Sequence, residues 1–138
     1  MDRTPDVGRI KEHTRALSKS LLGTQFRAEV GAFIAVGRGP FWAREMAGQL
    51  DVPENKVSAE LSRLATNNLL TAISIAAWDR RRLYERSPRS EPYWAAALDI
   101  LRRAAETEAL RAEVTEDEAV TAYLAAVHGD DPRIRQEG

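Results

Sequence analysis

The 138-residue chain contains no cysteine. That absence removes disulfides, thiolate nucleophiles and soft metal sites together. Histidine is almost missing as well: His13 and His128 stand near opposite ends. Two isolated imidazoles do not make a transition-metal set, and each reads as a solvated helix residue. No apolar run reaches membrane-spanning length, and the N-terminal segment lacks the apolar stretch of a secretory signal. A reducing, cytoplasmic location without a membrane partner is therefore expected. Gly37-Arg38-Gly39-Pro40 lacks the glycine spacing and the lysine–hydroxyl pair of a phosphate loop. Glu116, Asp117 and Glu118 are consecutive, which suits the start of a helix better than convergence on one ion. No catalytic residue, metal or cofactor is expected.

What remains suits one modest domain with a helical extension, since 43% of the residues are hydrophobic. The net charge of -1 hides a division. Residues 1–90 hold 15 basic and 10 acidic side chains, whereas residues 91–138 hold 5 and 11. A basic head with an acidic region held away from it favours a polyanionic partner; two ordinary solvated surfaces give the same counts.

The chain is organised around residues 41–63. Trp42, Met46, Ala47 and Leu50 recur at helical spacing, and Gly48 among them suggests close approach of a neighbour. Asp51, Val52 and Pro53 form a corner. Val57, Leu61 and Leu64 then mark the buried stripe of a second helix at about 53–66, with Asn55, Lys56, Ala59, Ser62 and Arg63 toward its outside. Leu69, Leu70, Ile73 and Ile75 give a short strand and Arg82 to Arg86 a second, with Ala76 to Arg81 as the hairpin tip. Arg80, Arg81, Arg82, Arg86 and Arg89 fall within ten residues, which is the strongest nucleic-acid signal in the chain. Trp78, on that tip, is expected to pack against its own domain or a partner subunit, because tryptophan is mostly buried.

Residues 1–9 and 129–138 read as flexible tails. A first helix is expected from about 10 to 22, and Thr24 is the expected N-cap of the next, which carries Phe26, Val30, Phe33 and Ile34. A long alanine-rich helix follows at about 91–109, and Thr115 with Glu118 makes a capping box for a last one.

Helix, helix and hairpin together describe a winged helix-turn-helix. From Leu21 to Pro88 the sequence resembles the winged helix regulators of the arsenic-repressor-like and multiple-antibiotic-resistance-regulator-like groups. LLGTQFRAEVGAFIA is similar to their lead-in helix, and WAREMAGQLDVPENKVSAELSRLATNNLL to their successive helices up to the first wing strand. The fold class implied is mainly α, with a two-stranded β wing and additional N- and C-terminal helices. Residues 10–89 form the winged helix domain, whose first helix is shared with the dimer interface, and residues 90–128 a dimerising helical extension.

The resemblance implies a homodimeric repressor that binds double-stranded DNA. Asn55, Lys56, Ser58, Ala59 and Ser62 are then the candidates for base edges in the major groove. Arg44, Gln49, Arg63, Arg80, Arg81, Arg82 and Arg86 are candidates for the DNA backbone or minor groove. Trp42, Trp78, Tyr93 and Trp94 line a pocket for a small-molecule effector, or else pack a dimer. Glu54 and Glu60 offset Lys56 and Arg63 on the reading helix, so its positive charge comes chiefly from the wing. The same balance suits a non-catalytic winged helix module that binds or assembles proteins.

Overall fold

The computed structural model describes residues 4–129. They form six helices and three strands: α1 (Val7–Leu22), α2 (Arg27–Val36), β1 (Phe41–Trp42), α3 (Ala43–Leu50), α4 (Glu54–Thr66), β2 (Leu70–Ile73), β3 (Leu83–Arg86), α5 (Glu91–Ala112) and α6 (Glu116–His128). The protein is mainly helical, with a small antiparallel sheet in the order β1-β3-β2. The expected hairpin is therefore joined by a third strand, as Phe41 pairs with Tyr84 and Trp42 with Leu83. A two-residue strand is too short for an alternating pattern to announce it.

Helix α1 begins before its expected start. Asp6, not a loose tail, caps it by accepting from the Arg9 amide. The helix lies across its own core, where Ile10, Thr14 and Ser18 are fully buried. Ser18 also replaces the expected cap of α2. Its hydroxyl donates to the Thr24 carbonyl at 2.7 Å and accepts from the Ala28 amide at 3.0 Å. Thr24 contributes its carbonyl to this arrangement, and a side chain from the preceding helix satisfies the open amide.

Helices α5 and α6 find partners within the chain. Trp94, Ala97, Leu101, Ala104, Ala105, Ala109 and Ala112 of α5 are buried, as are Ala119, Val120, Tyr123 and Val127 of α6. One apolar cluster runs from Ile10 through the α2–α4 region to Val127. The close packing has a small-residue seam: a Cβ added at Gly31 of α2 would stand 2.7 Å from the Ala97 Cβ of α5. Thr115 and Glu118 form the expected capping box at α6. His128, expected in solvent, is 3% exposed and stacks on Phe33 at 4.1 Å. His13 is exposed. The tail beyond Gly129 lies outside the described residues.

Gly48 also departs from its expected role. A Cβ there would meet nothing within 4 Å, so no close neighbour requires the glycine. Gly48→Ala should stabilise the protein by about 0.5–1 kcal/mol, because glycine gives up more backbone freedom in a helix. Chemical denaturation of the two proteins measures it.

A buried ion pair crosses the helices. Glu29 of α2 is fully buried, accepts from the Arg15 guanidinium of α1, and receives the Tyr123 hydroxyl of α6 at 3.4 Å. Burial pushes the Glu29 carboxyl above its ordinary 4.5, against the opposing pull of Arg15, and pushes the Tyr123 hydroxyl well up as well. A raised carboxyl binds its proton more tightly in the folded chain. Its stabilising contribution is thus complete below 4.5 and is lost as pH rises through the higher folded value. Glu29→Gln should remove that decline, so that the stability of wild type falls relative to the variant across this window in denaturation curves taken at successive pH values.

Candidate nucleic-acid interface

The corner between α3 and α4 sets the geometry. Asp51 takes a left-handed conformation (φ 55°), which its short polar side chain tolerates better than a branched one. The Val52 amide donates back to the Ala47 carbonyl at 3.1 Å, and Pro53 starts the next helix with a suitable φ of -55°. Val57, Leu61 and Leu64 then bury one side of α4. Asn55, Ser58, Ala59 and Ser62, which recur at three- and four-residue intervals, form an exposed stripe on another.

That stripe is one wall of a cleft of about 780 Å³. Arg80, Arg81 and Arg82 from the hairpin form the facing wall, with Tyr84, and Trp42, Ala43 and Arg44 complete the lining with Glu54. Four arginines against one glutamate favour an anionic occupant. Four of the five expected base-edge candidates are gathered here. Lys56 is exposed but stands outside the lining, on an edge of α4 that it shares with Arg63, seven residues on.

Of the expected backbone contacts, Arg44, Arg80 and Arg82 are exposed and line the cleft. Arg81 is already engaged. Its guanidinium donates to both Asp79 oxygens at 2.6–3.1 Å and lies over the Trp42 ring at 5.3 Å. The hydrogen bonds from the Arg81 side chain and backbone hold Asp79 down at about 2, so the pair stays charged at neutral pH. Two expectations are corrected. Gln49 turns toward α6, its side-chain amide donating to the His128 carbonyl at 3.4 Å. Arg86 is half-buried and donates to the Ala35 carbonyl at 2.9 Å, so it holds the sheet to α2 instead of extending from the hairpin.

Glu60 is corrected too. It is 6% exposed and receives the Arg27 guanidinium at 3.1 and 3.3 Å, while Arg27 also donates to the Leu22 carbonyl at 2.6 Å. The carboxylate therefore faces inward and ties α4 to α2, away from the cleft. Glu54 remains at the cleft as its one acidic lining residue.

The four aromatics expected in one pocket are dispersed. Trp42 lines the cleft, whereas Trp94 is 1% exposed and donates its indole N–H to the Ser90 hydroxyl at 2.7 Å. Tyr93 packs edge-on against Trp94 at 4.9 Å. Trp78, expected to pack, is 82% exposed at the hairpin tip. Tyr84 was legible only as an apolar strand residue. In β3 it sits two residues after Arg82, and both line the cleft. No described helix is long and apolar enough to cross a membrane, and among the described residues no three metal-ligating side chains come together.

No family model matches this chain, and no curated protein matches it either.

Proposed function

We propose that this protein is a winged helix-turn-helix regulator of transcription that binds double-stranded DNA in a sequence-specific way. Helix α4 enters the major groove, and the β2–β3 hairpin is the wing that follows the backbone or the minor groove. The observation that carries this reading is the cleft, where the polar stripe of α4 and the hairpin's Arg80 and Arg82 line one space whose charged side chains are four arginines and one glutamate. Asn55 offers an amide that pairs with adenine, Ser58 and Ser62 offer hydroxyls, and the arginines suit phosphates. A head of this kind that occupies a promoter excludes other proteins, so repression is the simplest outcome. A homodimer on two half-sites is the symmetric form of the same reading. It requires surfaces other than the inner faces of α5 and α6, which are spent on the protein's own core.

A second reading, a winged helix module that binds other proteins, is favoured by the exposed Ile75 and Trp78 on the hairpin. Fluorescence anisotropy separates the two. The ligands are duplex DNA from the region upstream of the protein's own coding sequence and a scrambled duplex, each at two salt concentrations. A preference for the upstream duplex that persists at the higher salt is expected. Absence of binding to either duplex at low salt would replace the regulator with the protein-binding module.

A further inference from the structure

The three tryptophans have three different settings. Trp94 is inside the core and Trp42 lies beneath Arg81, but Trp78 presents 82% of its surface to solvent. Ile75, three residues earlier in the same hairpin loop, is 61% exposed. A bare indole with an aliphatic neighbour gains little from folding and is unusual on a surface unless something covers it.

The surrounding charges identify the chemistry of that partner. Arg80 and Arg82 are exposed on the same loop, and neither has an ion-pair partner among the described residues. The acid on the tip, Asp79, is taken up by Arg81. The tip thus offers an apolar plate flanked by available cations, with its own carboxylate already satisfied. Nucleic acid alone among common partners combines flat π-faces with a regular row of phosphates. Arg80 and Arg82, on the same loop as Trp78, share a cleft with the neighbouring α4 stripe, a helix face suited to a duplex.

We infer that Trp78, supported by Ile75, is an apolar wedge that enters the minor groove of duplex DNA and partly unstacks one base step beside the segment read by α4. This inference rests on the DNA-binding reading above. Unstacking kinks a duplex, by roughly 20–90° for known wedges, and pyrimidine–purine steps yield most readily. The wedge therefore adds a preference for a deformable step that no hydrogen bond to a base edge would supply.

The test uses the full chain and a short mixed-sequence duplex with one central TA step. One copy of the duplex carries dyes at both ends for energy transfer; another carries 2-aminopurine at the step. Wild type is expected to shorten the end-to-end distance and to raise the 2-aminopurine emission. Trp78→Ala is expected to bind roughly tenfold more weakly, within the range for loss of one base–aromatic stack, and to leave the duplex straight and the emission unchanged. Trp78→Phe should retain part of both signals. The side chain is exposed, so the variants should keep their fold, which circular dichroism checks. Unchanged affinity or undiminished bending with Trp78→Ala overturns the wedge and leaves the DNA-binding reading standing. Tighter binding to the matching single strand than to the duplex overturns it in favour of stacking on unpaired bases. If wild type binds no duplex at low salt, the DNA-binding reading fails and the wedge fails with it.

Discussion

Replacing Arg80 and Arg82 together with alanine is expected to weaken duplex binding by roughly ten- to hundredfold at low salt and to make the salt dependence shallower by about two phosphate contacts. Both side chains are exposed on the cleft wall that faces α4, and neither is held by an acid among the described residues. Their contacts are to phosphate in this account, so the loss should be similar for the upstream and scrambled duplexes. Arg81→Ala should have a smaller effect, because its guanidinium is already shared between Asp79 and the Trp42 ring. Anisotropy titrations at several salt concentrations measure both quantities. If the double variant binds as tightly as wild type and Arg81→Ala does not, the roles within the hairpin are reversed.

Glu60→Ala is expected to cost about 3–5 kcal/mol of stability, since it leaves Arg27 mostly buried without its carboxylate. For a chain of this size that lowers the melting temperature by on the order of 10 °C. The same substitution distinguishes two positions for the residue. An outward Glu60 would repel phosphate, and its removal would strengthen DNA binding at little cost to the fold. An inward Glu60, bound to Arg27 at 3.1 and 3.3 Å, gives the opposite: a less stable protein with a poorly anchored α4. Glu54→Gln is the matching control, because Glu54 lines the cleft. Thermal unfolding beside anisotropy separates the outcomes.

The sequence carried the local elements well, for reasons that lie in their periodicity. Val57, Leu61 and Leu64 follow a helical period, and the same period sets Asn55, Ser58, Ala59 and Ser62 on the cleft. Thr115 and Glu118 cap α6 through a spacing that is itself the motif. Long-range partners were the hidden part. Nothing near Glu60 in sequence announces Arg27, 33 residues away. Nothing near Gln49 announces the His128 carbonyl, 79 residues on. Arg86 reads as one more wing arginine until Ala35 is seen to receive it. Charge counts describe which side chains are present; packing decides which of them reach a ligand. Trp78 is the reverse case, because general burial preference pointed inward and the hairpin carries it out to 82% exposure.

In the proposed function, duplex DNA binds in the cleft between α4 and the hairpin. Amide chemical-shift mapping of the isotope-labelled protein, titrated with the duplex from its own upstream region, tests it most directly. The largest shifts are expected at Asn55, Ser58, Ala59 and Ser62 and at Arg80 to Arg82, with α5 and α6 nearly unmoved. Shifts concentrated on α5 and α6, or none at all when duplex is in excess, would contradict it.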